Sequence, residues 1–376
     1  MANNKGMAKA KDKKNDEFYT VYSEIQSEIN HYEKHFVGKT VFCNCDDPYE
    51  SNFFQFFARN FNYLKLKRLI CTCFSGSSIA YTQLSLFDNN DEQATNKFGY
   101  VIDIKEVPMA NGRGVTDEDI NSLLKSKKRG VKKLEGNGDF RSKECIEYLE
   151  QSDIVVTNPP FSLFKEYIAQ LVEYDKRFLV ISNIQTIKYK EIFPLILNNQ
   201  LWAGYSFNKT MEFIMPNSYE LKGKAFVDKL GRKHGFVPGI CWLTNLDIDK
   251  RHENIILHKR YNPQIYKKYD NYDAIEIKNV SDIPKDYSGH MGVPISFMEK
   301  YNPNQFDLIG SSDISDTLEG IQVLGSEWIK KYKEQGGTGH YTANMKSVGY
   351  SGDGKNKIIF SRIIIKNKHP EKEGFV

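Results

Sequence analysis

Asn158-Pro159-Pro160-Phe161 places two prolines between a side-chain amide and an aromatic ring, directly after the β-prone run Asp153–Thr157. Each proline fixes its own φ and has no N–H to donate. The residue before a proline is pushed away from helical geometry, so Asn158 and Pro159 are both held extended. The Asn158 side-chain oxygen and the Pro159 carbonyl then form a fixed pair of acceptors, with the flat face of Phe161 beside them. An exocyclic amine on an aromatic ring has its lone pair delocalised into that ring. Two acceptors holding its two hydrogens favour a lone pair aimed out of the plane, towards an electrophile. The chemistry this suits is methyl transfer to a planar NH2 group, achieved by position and electrostatics without a strong base. Read alone, the same four residues also make an ordinary strand-to-helix turn, since Asn-Pro is a common turn dipeptide.

Such a notch needs a scaffold. Thr40–Asn44, Lys67–Cys73, Tyr100–Ile104, Asp153–Thr157 and Arg177–Ser182 read as strands. Between them, helical spacing covers Glu24–His35, a segment capped by Ser51 and carrying Phe53, Phe54, Phe57 and Phe61, Thr116–Lys127, a segment starting at Ser142, and Ser162–Tyr174. Strands alternating with helices predict an α/β fold with a mostly parallel sheet and helices on both faces. Ligands on such sheets sit beyond the carboxyl ends of the strands, where Asn44–Pro48 and Asn158–Phe161 would both lie. After about Pro216 the alternation gives way to glycines, tyrosines, lysines and short β-prone runs. The expected organisation is therefore a flexible basic arm over 1–14, a catalytic domain over 15–216 and a mixed, partly β domain over 217–376.

The chain has 376 residues, 40% of them hydrophobic and 27% charged, with a net charge of +4. This is the composition of a globular protein of about two domains. It carries no apolar run of membrane-spanning length, and Met1–Lys14 lacks the apolar core of a secretory signal. A cytoplasmic location is expected, with no membrane partner. Six cysteines include the pairs Cys43/Cys45 and Cys71/Cys73. Each pair falls in a strand-like run where alternate residues share a face. Without the C-x2-C spacing usual for zinc, they read as small buried hydrophobes, and no metal is expected.

Several ordered blocks resemble the EcoRI-type adenine-specific DNA methyltransferase family. They are Asp16–Thr20, Asn44–Pro48, Gly138–Ser142, Asp153–Tyr167, Cys241–Asp247, Tyr269–Ile275 and Met291–Ile295. The resemblance implies a Rossmann-like methyltransferase sheet, S-adenosylmethionine as cofactor and S-adenosylhomocysteine as product. It also implies transfer to N6 of an adenine flipped from duplex DNA, with a C-terminal DNA-recognition domain and a restriction-modification setting. Asn158, Pro159, Pro160 and Phe161 would be catalytic. Phe18, Tyr19 and Thr20 resemble a block that closes over the methionine end of the cofactor. Asn44, Asp46, Asp47 and Pro48 stand where carboxylates could hold its ammonium, although Asp46-Asp47 also reads as a helix-capping turn. Asp139 would accept from the cofactor adenine and Phe140 would pack on its ring.

A flipped adenine needs a second aromatic cover, and Phe213 is the candidate opposite Phe161, with core packing as its other reading. Lys222, Lys224, Arg232 and Lys233 surround an expected hairpin at Leu230-Gly231, and Arg251 with His252 forms part of a second basic cluster. These residues are the expected DNA contacts, since cations hold phosphates. An RNA adenine or a protein glutamine offers the same planar NH2 group and is the alternative substrate. A cognate restriction endonuclease is left open as a further partner.

Overall fold

The computed structural model describes residues 19–372, apart from 50, 75–97, 110, 111, 113, 127–129, 216–219 and 345. The expected basic arm and Phe18 lie outside the described residues. Two compact units form: residues up to Ile184 with Ala203–Leu246, and Gln185–Trp202 with Asp247 onward.

In chain order the first unit opens with β1 (Tyr19–Thr20), α1 (Tyr22–Ile29), α2 (Glu33–Phe36), β2 (Thr40–Asn44), α3 (Asn52–Arg59) and β3 (Arg68–Cys73). There follow β4 (Tyr100–Ile104), α4 (Asp117–Lys125), β5 (Lys132–Lys133), α5 (Lys143–Glu150), β6 (Ile154–Thr157), α6 (Phe164–Glu173) and β7 (Arg177–Asn183). The helices start where local chemistry dictates. Ser51 caps α3 by accepting from the Phe53 N–H at 3.1 Å, Ser142 caps α5, and Thr116 with Asp119 closes a reciprocal capping box on α4. The hydrophobic sides of α1–α3 bury Ile25, Ile29, Phe36, Phe53, Phe54 and Phe57, and Tyr32 is buried between α1 and α2.

Strand β2 is buried along its whole length and is flanked by parallel neighbours, β3 on one side and β6 on the other. Strand β7 continues the parallel run beyond β6. The crossover from β2 leads to β3, while the crossover from β6 leads away from it to β7. Strand order therefore reverses between β2 and β6, and the crevice at their carboxyl ends is the place such sheets bind ligands. Cys43 stands opposite Cys71 within this core, as expected for packing thiols, and none of the six cysteines forms a disulfide.

The sheet departs from the mostly parallel expectation at its flanks. Strands β4 and β5 are antiparallel on one side. On the other, β11 (Lys233–Thr244) lies antiparallel to β7 and pairs with β9 (Lys209–Met215), which pairs with β1. Short strands β8 (Trp202–Ala203) and β10 (Phe226–Val227) also pair with β11, giving a mixed sheet of eleven strands among the described residues. Residues expected to lie past a domain break at 216 thus complete the first sheet. The compactness boundary falls at Leu246 instead.

The second unit includes α7 (Phe193–Leu197) and a four-stranded sheet in the order β12 (Ala274–Glu276), β13 (His290–Pro294), β17 (Arg362–Asn367), β14 (Phe306–Ser311). Helix α8 (Ser326–Glu334) and the hairpin of β15 (Gly349–Gly352) with β16 (Lys355–Ile358) complete it. Tyr269, Tyr272, Leu318, Ile321, Val348, Tyr350 and Ile364 share one of its hydrophobic clusters. Arg362 is bonded to the buried Glu276 at 2.6 Å. Among the described residues no helix is long and apolar enough to cross a membrane.

Candidate active site

Three of the expected blocks, Asn44–Pro48, Gly138–Ser142 and Asp153–Tyr167, meet at the carboxyl edge of β3, β2 and β6. Asp46 and Asp47, just past β2, are each 5% exposed. The Asp46 carboxylate accepts from Ser51 Oγ at 2.8 Å and lies 2.5 Å from Thr157 Oγ1. Its backbone N–H donates to the Thr72 carbonyl at the end of β3 (3.0 Å). Thr157 is the last residue of β6, so the strand that ends in Asn158 is tied to the acidic loop of β2. Thr157 Oγ1 also donates to the Asn44 carbonyl, and the Tyr167 hydroxyl of α6 donates to the Asn44 side-chain oxygen. The helix after Phe161 is thereby fastened to β2. Asn158 and Phe161 are partly buried, Pro159 is buried, and the Asn158 side-chain oxygen is itself buried.

Burial sets the electrostatics. Desolvation pushes the Asp46 carboxyl up to about 7, against the hydrogen bonds from Thr157 and Ser51, and the neighbouring Asp47 adds to the rise. Asp47 is raised as well, again chiefly by burial, although the Tyr49 N–H donates to it at 2.9 Å. Thr157 carries one proton but faces two acceptor oxygens. A protonated Asp46 resolves this by donating to Thr157, which then donates to Asn44.

Gly138-Asp139-Phe140 sits over the end of β3. Gly138 has φ +76°, and a Cβ there would lie 2.2 Å from the Cys73 carbonyl oxygen, so only glycine fits. Asp139 is held by Arg141, whose Nε and terminal nitrogen donate to its two oxygens at 2.9 and 2.8 Å. These bonds keep its carboxyl below the usual range. Arg141 also reaches Glu166 on α6 at 2.9 Å. Phe140 is 4% exposed and meets Tyr167 edge-on at 5.1 Å between centroids. It supports α6 in this conformation as part of the core.

The chain matches the family model described as "Adenine-specific methyltransferase EcoRI" over residues 6–368. It belongs to this family. It is similar to the type II methyltransferase M.EcoRI of Escherichia coli, at 46% identity over 312 residues that cover 82% of this chain and 89% of that protein. M.MgeORF184P of Mycoplasma genitalium is 41% identical, with 80% and 84% of the two chains covered. M.MpnI of Mycoplasma pneumoniae is 40% identical, with the same coverage. No solved structure is a significant match.

An adenine-specific methyltransferase of the EcoRI family uses a methyl donor, and the acidic loop suits a cationic one such as S-adenosylmethionine. Ionising both buried acids side by side is costly without a cation, and among the described residues neither pairs with a lysine or arginine, so a cationic ligand would favour the ionised form of Asp46. Thr20 Oγ1, in the block expected to close over the methionine end, is buried without a hydrogen-bond partner. Its carbonyl accepts from Asn52 Nδ2 of α3 at 2.7 Å, which brings β1 to the same loop. Tyr19 is half-buried beside it and Pro48 is buried.

Other expected residues are placed differently. Phe213 is 0% exposed on β9, flanked by Thr20 and Gly235, and presents no face to a base in this conformation. The core reading fits it. Asn44 spends its side-chain oxygen on Tyr167, so it positions elements. Arg251 stacks over Trp202 at 3.9 Å and donates to Asn199, while His252 lies 2.7 Å from Asp247. Both already hold intramolecular partners. Lys222 and Lys224 are exposed, Arg232 is paired with Asp228 at 2.7 Å, and Lys233 is half-buried. Sequence reading gave no role to Thr157, Tyr167 or Arg141. A hydroxyl at the strand end beside the Asn-Pro-Pro-Phe motif was the one available signal.

Proposed function

We propose that this chain transfers the methyl group of S-adenosylmethionine to N6 of an adenine turned out of duplex DNA, within a specific sequence. The observation that carries the proposal is the tie from Asp46 through Thr157 to the strand that ends in Asn158. It sets the buried acidic loop and the amine-gripping turn side by side at the reversal of strand order. When bound, the cofactor supplies an electron-poor methyl carbon. Asp46, Asp47 and Thr20 would receive its cationic end, and Asp139 its adenine amine. On the acceptor side, the Asn158 oxygen and the Pro159 carbonyl hold the two hydrogens of N6, and Phe161 stacks on the purine. Differential stabilisation comes from acceptors already aimed before the reaction begins. Target recognition is assigned to residues 247–376, in a Rossmann-like catalytic frame that ends at Leu246. The type II naming of the relatives favours a modification enzyme paired with a restriction endonuclease, and cysteines outside any disulfide suit a reducing cytoplasm.

The test is radiolabelled methyl transfer from S-adenosylmethionine to duplex DNA. Incorporation at N6 of adenine in one sequence context is expected. Label appearing in RNA or in protein glutamine, and none in DNA, would replace this reading with the alternative substrate class.

A further inference from the structure

The segment 221–236 concentrates exposed apolar side chains. Leu221, Phe226, Val227 and Phe236 are 44%, 43%, 50% and 38% exposed, and Leu230 reaches 77%. Leu230 stands in the turn that joins β10 to β11, where Val227 pairs with Lys233. That turn is rigid. The Asp228 carboxylate accepts from the Leu230 N–H and the Arg232 N–H, each at 2.9 Å, and from Arg232 Nε at 2.7 Å. Gly231 supplies the φ of +80° that closes it. Below the turn, His234 is buried with Nδ1 2.7 Å from Glu212 and Nε2 3.2 Å from Asp228, and Phe226 stacks on its ring at 4.7 Å. Burial of a large aliphatic group would be the ordinary outcome. Here a fixed loop holds it in water, with the exposed cations Lys229 and Arg232 in the same turn and Lys222 and Lys224 just before β10.

The direction of this hairpin matters. Ile240 pairs with Asn183, the last residue of β7. Residues 233–239 therefore run past the carboxyl edge of the sheet, the edge at which Asn158 and Asp46 stand. At about 3.3 Å per residue, the ten residues from Leu230 to Ile240 span up to about 30 Å. The tip is thus carried on the same rigid strand system as the amine-gripping turn. Its charge complements phosphates, and an apolar side chain on a basic projection is the pattern of side chains that enter a base stack.

We propose that the hairpin 226–236 is a DNA wedge: Leu230 enters the duplex as the target adenine leaves it, and the surrounding lysines hold the flanking phosphates. This rests on the duplex-DNA reading given above. Extrusion costs stacking and pairing, and a group filling the gap offsets that cost.

The test uses the full-length chain, with Leu230→Ala and Leu230→Asp, on the duplex sequence that the wild-type chain methylates. Both substitutions lie at an exposed site, and unchanged thermal melting checks that the fold is kept. On the matched duplex, kcat/KM is expected to fall by about tenfold or more, together with the fluorescence of 2-aminopurine placed at the target. On a duplex with an abasic site opposite the target adenine, where extrusion is already eased, both variants should come within about twofold of wild type. Wild-type rates on the matched duplex, or equal losses on both duplexes, would overturn the wedge and leave the methyltransferase reading standing. So would a concentration-dependent dimer that Leu230→Asp dissolves, since a second copy would then be what covers the tip. Failure of the wild-type chain to methylate any duplex would overturn the parent reading, and the wedge with it.

Discussion

Thr157 Oγ1 stands 2.5 Å from the Asp46 carboxylate and also donates to the Asn44 carbonyl. One hydroxyl proton cannot serve both oxygens, so the protonation of Asp46 and the tie between β2 and β6 are linked. Burial pushes the Asp46 carboxyl from 3.8 up to about 7. A raised carboxyl favours the folded state fully below its unfolded value, and that contribution is lost as pH climbs towards 7. The ligand-free chain should therefore lose stability between about pH 4 and 7. Asp46→Asn should melt higher than wild type at pH 8, with the gap narrower at pH 5 and closed below about pH 4. Wild-type affinity for S-adenosylmethionine should rise through pH 7, while that of the variant should be weaker and flat. Calorimetry in buffers of different ionisation enthalpy would read the released proton. A pH-independent Tm gap would contradict the assignment.

Asn158→Ala removes one aimed acceptor and leaves the prolines in place. Losing one such group costs about 10²–10³ in kcat, and cofactor and DNA dissociation constants should change by much less. Single-turnover methylation beside a DNA-binding titration separates the two. Turnover at the wild-type rate would end the acceptor role.

The two aromatics proposed for base stacking should part company. Phe213 is fully buried, so Phe213→Ala should cost about 3–5 kcal/mol of folding stability. Phe161 is only partly buried, so Phe161→Ala should appear mainly in kcat/KM, at about 1–3 kcal/mol, with a small change in urea midpoint. Denaturant melts and kinetics on both variants check the assignment. Losses of stability of equal size would sink it.

Gly138→Ala places a methyl group against the Cys73 carbonyl at a φ of +76°. The turn must shift, and Asp139 with it. A lower Tm and a raised KM for the cofactor are expected together, whereas DNA affinity should hold. An unchanged KM would remove Asp139 from the cofactor site.

Local signals carried most of the legible structure. Ser51 and Ser142 start helices where their side chains can cap them, and this needs only the neighbouring residues. The strands ending at Asn44 and Thr157 were readable as buried apolar runs, and with them the edge on which the site stands. Pairings distant in sequence were not. Strand β11 joins β7 and β9, which no local pattern announces, so the expected break at 216 fell inside a sheet. Arg251 looked like a free cation because its partner Trp202 is remote in sequence. Phe213 did carry a signal. Met211, Phe213 and Met215 are buried while Glu212 and Ile214 between them are less so, the period of a half-buried strand that points its alternate residues inward.

The pairing of β11 with β7 has a practical side. A fragment cut at residue 216 would bare the backbone N–H and C=O groups of β7 that Ile240–Thr244 now cover. Open edges of that kind template aggregation. A fragment that keeps this sheet intact should therefore reach at least Leu246, and a nascent chain leaving the ribosome cannot seal its principal sheet until Thr244 has emerged.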